Sequence, residues 1–357
     1  MTGIPHAIKS RNIVFPQRDK VEIWEEEVAE PGPGEVLCRA VLSLVSLGTE
    51  GHCLRGVYDS GTFWEEYIQY PFHPGYSMVA RVVGTCADVT AHNIGDRVTS
   101  WAPHSEYFLS PENQLFPVPD AIRNEEAIWA TLARTTQLGV RRAELTLGES
   151  VAVVGLGILG QLVTQYLRLS GARDVIAIDT SRKRLDLAVA NGATKAICLP
   201  VEQAQKAVAD ITGGRMVDVV FDITGFPAAL APASLLLRKL GRLVLLGDSP
   251  TPSRQTLGPR IVGDSISILG VHGMMYPDVA TPFNQWTAEA MTSLFFDYVA
   301  AGRMNVTSLI THTVYPADAA EVYNVIVGNK EAALGVVFDW SGLHGAAVNN
   351  GSFQPGT

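Results

Sequence analysis

Apolar positions in this chain obey two successive rules. Up to about residue 120 they form short runs, at 35–46, 78–84 and 97–101, broken by Pro31-Gly32-Pro33-Gly34, Pro74-Gly75 and Gly95-Asp96. Short apolar or β-branched runs bounded by turn residues predict strands, and together a small β-rich domain. Near residue 125 the grammar changes. Residues 126–142 carry apolar side chains at helical spacing, and strand and helix patterns then alternate. Strands are predicted at 151–154, 174–178, 196–199, 217–222, 242–246 and 266–271, with helices at 159–170 and 182–191 among them. Continuous apolar strands joined by helices predict a doubly wound parallel sheet. Beyond residue 281 follow a helix (285–301), a strand (308–314), a helix (318–327) and a closing strand (333–339). The tail from residue 341 is rich in Gly, Asn and Ser and is expected to be mobile.

Composition narrows the class. A chain of 357 residues with 47% hydrophobic and 18% charged residues suits two buried cores and a soluble α/β protein. A net charge of −9, without a concentrated basic face, argues against a nucleic-acid partner. No apolar run approaches the ~18 residues of a membrane span, and the first fifteen residues lack a signal-peptide core, so a cytoplasmic location is expected. Cys38, Cys53, Cys86 and Cys198 are widely spaced and read as reduced thiols, not as a zinc cluster.

The densest chemistry lies at Gly155-Leu156-Gly157-Ile158-Leu159-Gly160, a G-x-G-x-x-G string. Its context raises it above a chance match: it follows an apolar strand, opens a helix, and is trailed by Asp179, 19 residues after Gly160. Gly155 is expected to make the tight turn, Gly157 to admit a pyrophosphate, and Gly160 to let helix and strand pack closely. The free N–H groups and positive end of that helix suit phosphate. Asp179 would bond the adenosine ribose hydroxyls and repel a 2′-phosphate, which favours NAD over NADP. Arg182, Lys183 and Arg184 could weaken that preference, or be only a solvated helix start.

With these pieces in place, the chain resembles the medium-chain dehydrogenase/reductase superfamily up to Trp340. The resemblance rests on Pro31-Gly32-Pro33-Gly34-Glu35-Val36, Gly48-Thr49-Glu50, Pro74-Gly75-Tyr76, Val82-Val83-Gly84, Asn93-Ile94-Gly95-Asp96-Arg97-Val98 and the glycine string. It implies a GroES-like, β-rich catalytic domain made from both chain ends (1–133 and 283–357) and an inserted dinucleotide domain (134–282). It also implies cofactor contacts at Thr135, Arg184, Thr224 and Gly247, and a homodimer or homotetramer joined through the strand at 266–271. Zinc-dependent members keep ligands where this chain has Leu47, Tyr76 and Thr131. Leucine donates nothing and neutral hydroxyls are poor zinc ligands, so no zinc is expected. Gly-Thr-Glu with Pro-Gly-Tyr most resembles the zinc-less branch that contains bacteriochlorophyllide-type hydroxyethyl dehydrogenases.

Without a Lewis acid, hydrogen-bonding side chains must manage the substrate oxygen. The resemblance places Thr49 at that oxygen and His52 in the proton path to solvent, while Tyr76 fills a vacated ligand position. His52 reads equally as an incidental loop histidine and Tyr76 as an apolar plug. Aromatic and histidine-bearing stretches at 56–72 and 272–286 are candidate walls for a ring-bearing substrate such as a sugar or cyclitol. Three functions therefore stand open: an NAD-linked secondary-alcohol dehydrogenase, a reductase of activated C=C bonds, and a non-catalytic NAD(H)-binding protein.

Overall fold

The structure is a computed structural model that describes residues 8–328 and 333–343. Most of the tail expected to be mobile, from residue 344, lies outside the described residues. The chain forms two compact units.

The first unit opens with strands β1 (Ile8–Val14) and β2 (Glu22–Val28), an antiparallel pair. Strand β3 (Glu35–Val45) follows, then helices α1 (Leu47–Arg55) and α2 (Phe63–Tyr67). Strands β4 (Met78–Thr85), β5 (Arg97–Ser100), β6 (Tyr107–Pro111) and β7 (Leu115–Pro117) come next. Helix α3 (Asn124–Ala127) leads into helix α4 (Ala130–Arg142), so the single helix expected over 126–142 is broken at Ile128-Trp129.

Chain order continues into the second unit. It contains β8 (Ser150–Val154), α5 (Ile158–Leu169), β9 (Asp174–Asp179), α6 (Arg182–Ala190), β10 (Lys195–Cys198) and α7 (Gln205–Thr212). After these come β11 (Val217–Asp222), α8 (Leu230–Ser234), β12 (Leu237–Leu245), β13 (Ser267–Gly270) and α9 (Ala288–Ala300). Strand β14 (Ile310–Val314), helix α10 (Ala319–Gly328) and strand β15 (Gly335–Asp339) then rejoin the first unit.

In the first unit β3 is the organiser. Eleven residues long and mostly buried, it pairs antiparallel with β4, β6 and β15 in a sheet ordered β14-β15-β3-β4-β5-β7. Strands from early and late in the chain are thus stitched into one sheet. The second unit is a six-stranded parallel sheet ordered β10-β9-β8-β11-β12-β13. Counted within the unit this is 3-2-1-4-5-6, the doubly wound dinucleotide-binding order. Strand β8 is fully buried, as its apolar run from Val151 to Val154 requires. The fold is therefore α/β, a GroES-like β-rich unit, as the resemblance implied, and a Rossmann-type unit, as the strand and helix pattern indicated.

Residues 283–309, expected in the β-rich domain, cluster instead with the parallel sheet, and so does Tyr58–Trp64. Side-chain bonds explain both. Gln137 Nε2 donates to Met291 O at 3.1 Å, and the Gln165 amide pairs with the Asn305 backbone at 2.8 and 3.0 Å. Asp59 is tied to the strand-edge loop after β12 by its N–H to Pro250 O and by its carboxylate to Ser253 N–H, both at 2.8 Å.

Candidate active site

The glycine string sits at the carboxyl end of β8, beside β11, where the strand order reverses. That crevice is where open α/β sheets bind ligands. Gly155 has φ +90°, a left-handed turn closed by its N–H to Ile178 O at 2.9 Å. A Cβ on Gly160 would overlap the Gly155 carbonyl oxygen, so helix α5 can approach its own loop only with glycine there. Gly157 differs: a Cβ on it would meet nothing within 4 Å. Backbone is thus bared toward open space at the N-terminus of a twelve-residue helix, the geometry that accepts phosphate. Leu156 and Ile158 are buried and anchor the loop, while Leu159 is half-buried.

Asp179 braces this loop. Its Oδ2 accepts from Leu156 N–H at 2.6 Å and its Oδ1 from Ser181 N–H at 2.8 Å. Both oxygens keep lone pairs for further donors. Gln161 donates to Leu156 O at 3.2 Å and to Arg184 O at 2.8 Å, tying the glycine loop to the start of α6. On the neighbouring strand, buried Asp222 accepts from Thr224 N–H at 3.0 Å and Thr224 Oγ1 at 2.7 Å. The loop after β12 is pressed against this turn: a Cβ on Gly247 would lie 2.6 Å from Gly225 N. Half-buried Thr135, on α4, touches Gly273, where a Cβ would overlap the threonine hydroxyl.

Of the aromatic stretches, the structure joins only part at this edge. The rings of Phe63 and His272 meet edge to face at 5.2 Å. Trp286 lies elsewhere, under the Arg141 guanidinium, which stands 3.1 Å from its ring centre. The two help line a cavity of about 640 Å³ with Gln137, Tyr166 and Tyr298, at the opposite end of α5 from the glycine loop.

The first unit holds a cluster of hydroxyl groups. Residues 47–55, legible only as a loop, form helix α1, despite two glycines and a β-branched threonine. Its anchor is Glu50, 1% exposed, whose Oε1 accepts from Ser46 N–H at 2.6 Å. Three hydroxyls converge at the start of this helix. The Tyr76 oxygen lies 2.5 Å from Ser46 Oγ and 3.3 Å from Thr49 Oγ1. A phenol has one proton, so it can donate to only one of them and must accept from the other or leave a lone pair for a ligand. The Tyr76 ring stacks on Trp101 at 4.9 Å and 21°. His52 follows Thr49 by three residues on α1, hence on one helix face, and is half-buried; Cys53 beside it is fully buried.

Ser46 and His104 are functional candidates that sequence reasoning missed. His104 is 0% exposed and lies 3.1 Å from Glu50 Oε2 through Nε2, while Tyr323 donates to the same carboxylate oxygen. Neither residue sits in a recognisable motif; Val45-Ser46-Leu47 and Pro103-His104-Ser105 read as strand end and loop.

Burial pushes the Tyr76 phenol up to about 12, against the hydrogen bonds to Ser46 and Thr49. At neutral pH it is protonated and acts as a donor. A raised folded-state pKa confers stability that is complete below the unfolded value of about 10 and lost as pH climbs through the folded value. Stability should therefore fall between pH 10 and 12, with Tyr76 contributing on the order of 2–3 kcal/mol. Calorimetric melting of the Tyr76→Phe variant should show a shallower alkaline decline than the natural protein.

The side chains at the zinc-ligand positions do not fit that metal. Leu47 has no donor atom, Tyr76 holds its proton, and Ser77, which follows, spends its hydroxyl on Ile128 O at 2.6 Å. Among the described residues, no group of three or more His, Cys, Asp or Glu is placed to hold a metal ion.

Comparison with known proteins bears on this geometry. A profile of the family described as "Zinc-binding dehydrogenase" matches residues 159–289. An alcohol dehydrogenase of Cupriavidus necator is 24% identical over 90% of this chain and 96% of its own length. A D-guloside 3-dehydrogenase of Escherichia coli is 27% identical over 75% and 78%. The chain is an oxidoreductase. Among solved structures, an Escherichia coli oxidoreductase/dehydrogenase of unknown specificity superposes on this oxidoreductase with a TM-score of 0.79 at 18% identity, covering 93% of this chain and 99% of that one. An Escherichia coli alcohol dehydrogenase complexed with NADH gives 0.76 at 20% identity, with the same coverage. At such identities the likeness establishes the shared fold. No helix of the described residues is long and apolar enough to cross a membrane.

Proposed function

We propose that this oxidoreductase interconverts a secondary alcohol and a ketone with NAD(H) and without zinc, as in the zinc-less branch its motifs resemble. The carrying observation is the Ser46–Thr49–Tyr76 hydroxyl trio: the resemblance puts Thr49 at a substrate-facing position and Tyr76 at a vacated ligand position, and Ser46 adds a third hydroxyl beside them. Polyols, sugars and cyclitols are the proposed substrates, because several hydroxyl donors suit a substrate rich in oxygen.

The second unit supplies the cofactor cradle: the open backbone at Gly157 and the α5 N-terminus for the pyrophosphate, and Asp179 for the ribose hydroxyls. Bound NAD supplies the hydride acceptor. The first unit handles the oxygen. In oxidation the hydroxyl proton passes to Thr49 and on to His52, whose ring nitrogens can take up a proton and pass it on. In the reverse direction Ser46 turns its hydroxyl to donate to the Tyr76 oxygen, which frees the Tyr76 proton for a hydrogen bond to the carbonyl oxygen.

Strand β13 ends the parallel sheet with a bare edge, and Val262 (91% exposed) and Met275 (73%) flank it in sequence. Pairing with a second copy would cover that edge, which supports a homodimer.

The test uses purified protein with NAD or NADP and a panel of sorbitol, myo-inositol, a methyl glycoside and an α,β-unsaturated ketone, before and after exhaustive chelation. NADH formation from a hydroxylated substrate, indifferent to the chelator and faster than with NADP, is expected. Stoichiometric zinc whose removal abolishes turnover would refute the reading, as would activity confined to the unsaturated ketone.

A further inference from the structure

A buried carboxylate is costly unless donors surround it, and Glu50 is surrounded. Ser46 N–H donates to Oε1, while His104 Nε2 and the Tyr323 hydroxyl face Oε2. His104 is in turn fixed from behind. Its Nδ1 lies 2.7 Å from Ser43 Oγ, which also accepts from Trp340 Nε1 at 2.9 Å. The Glu50 carboxylate only accepts, so Nε2 carries the proton toward it, and in the neutral ring Nδ1 accepts from the Ser43 hydroxyl while a Ser43 lone pair takes Trp340 Nε1–H. The donor count closes with that tautomer. Ser43, Glu50, His104, Tyr323 and Trp340 come from five separate segments, so the arrangement is specified by the fold of the first unit as a whole.

His104 also has a second contact that bears on the site. Gly75, at φ +101°, lies so close to the imidazole that a Cβ there would stand 2.8 Å from two ring atoms. His104 N–H donates to Pro74 O at 2.7 Å. The ring therefore backs the residue immediately before Tyr76, while its Nε2 reaches Ser46 through Glu50.

We propose that His104 is a positioning residue for the hydroxyl trio, bracing Ser46 through Glu50 and Tyr76 through Gly75. The effect of this brace is to hold the 2.5 Å spacing of Ser46 and Tyr76, and so the direction in which the phenol presents its proton. Its catalytic consequence rests on the dehydrogenase reading above; its geometric consequence does not.

Two variants separate the polar link from mere packing. His104→Phe keeps an aromatic ring against Gly75 but removes both nitrogens, and His104→Gln retains a donor for Glu50. On the hydroxylated substrate found in the panel, His104→Phe should lower kcat at least about tenfold, with KM and NADH affinity within about threefold of the natural protein. His104→Gln should recover most of that loss. Independently of any substrate, tyrosine labelled at ¹³Cζ gives a Tyr76 resonance, assigned by its disappearance in Tyr76→Phe. That resonance should move in His104→Phe and hold its place in His104→Gln. Should His104→Phe fail to fold, Glu50→Gln breaks the same link and should move the same resonance. An unmoved resonance in these variants overturns the proposal, and so does a kcat loss that His104→Gln does not recover. A natural protein inactive on every alcohol refutes the dehydrogenase reading instead, and the resonance still decides the role of His104.

Discussion

Gly157→Val is expected to leave the second unit folded and to weaken NADH binding at least about a hundredfold, a change of about 2.7 kcal/mol. The backbone at Gly157 has φ −65° and ψ −171°, which valine adopts without strain, and the space its side chain would enter is empty of protein atoms. What it would fill is the approach of the pyrophosphate to the N–H groups of α5. Gly160→Ala makes the opposite case. Its methyl would overlap the Gly155 carbonyl, so the loop or the helix must move, at a cost of about 1–3 kcal/mol in stability. Fluorescence titration with NADH and thermal melting of both variants separate the two effects. A Gly157→Val protein that binds NADH normally would remove the cofactor from this loop.

Thr49→Val and Tyr76→Phe should each lower kcat well over about tenfold on the hydroxylated substrate, with NADH affinity unchanged, because in the proposed function each gives up a hydrogen bond to the reacting oxygen. Both replacements preserve volume, so a loss of rate cannot be assigned to a collapsed pocket. The two hydroxyls lie 3.3 Å apart and both adjoin the region of Ser46, so the double variant should lose less than the product of the single losses. Steady-state kinetics on the three variants is the measurement. Natural kcat in Thr49→Val would take that residue out of the mechanism. The same result in Tyr76→Phe would reduce the phenol to filler stacked on Trp101.

Much of the second unit was legible because its signals are local. Strand β8 is buried on both faces and is apolar from Val151 to Val154, and the turn that follows needs glycine at fixed offsets. Departures arose where long-range contacts overrule local preference. Strand β12 begins at Leu237, five residues before the apolar run that marks it, and its register against β11 shifts next to Leu240, held at φ +61°. Helix α1 was invisible for a related reason: glycines and threonine disfavour a helix, and the carboxylate that secures it gathers donors from Tyr323 and His104.

Sequence alone determined the α/β class and the glycine turn that opens α5, since each depends on residue identity at short spacing. Only the tertiary structure decided that Ser46 joins Thr49 and Tyr76, that residues 283–309 pack with the parallel sheet, and that His104 stands behind the hydroxyls. A buried hydrogen bond between Glu50 and His104, 54 residues apart, leaves no periodic trace in the chain. It exists because folding excludes water from both groups and makes each the other's partner.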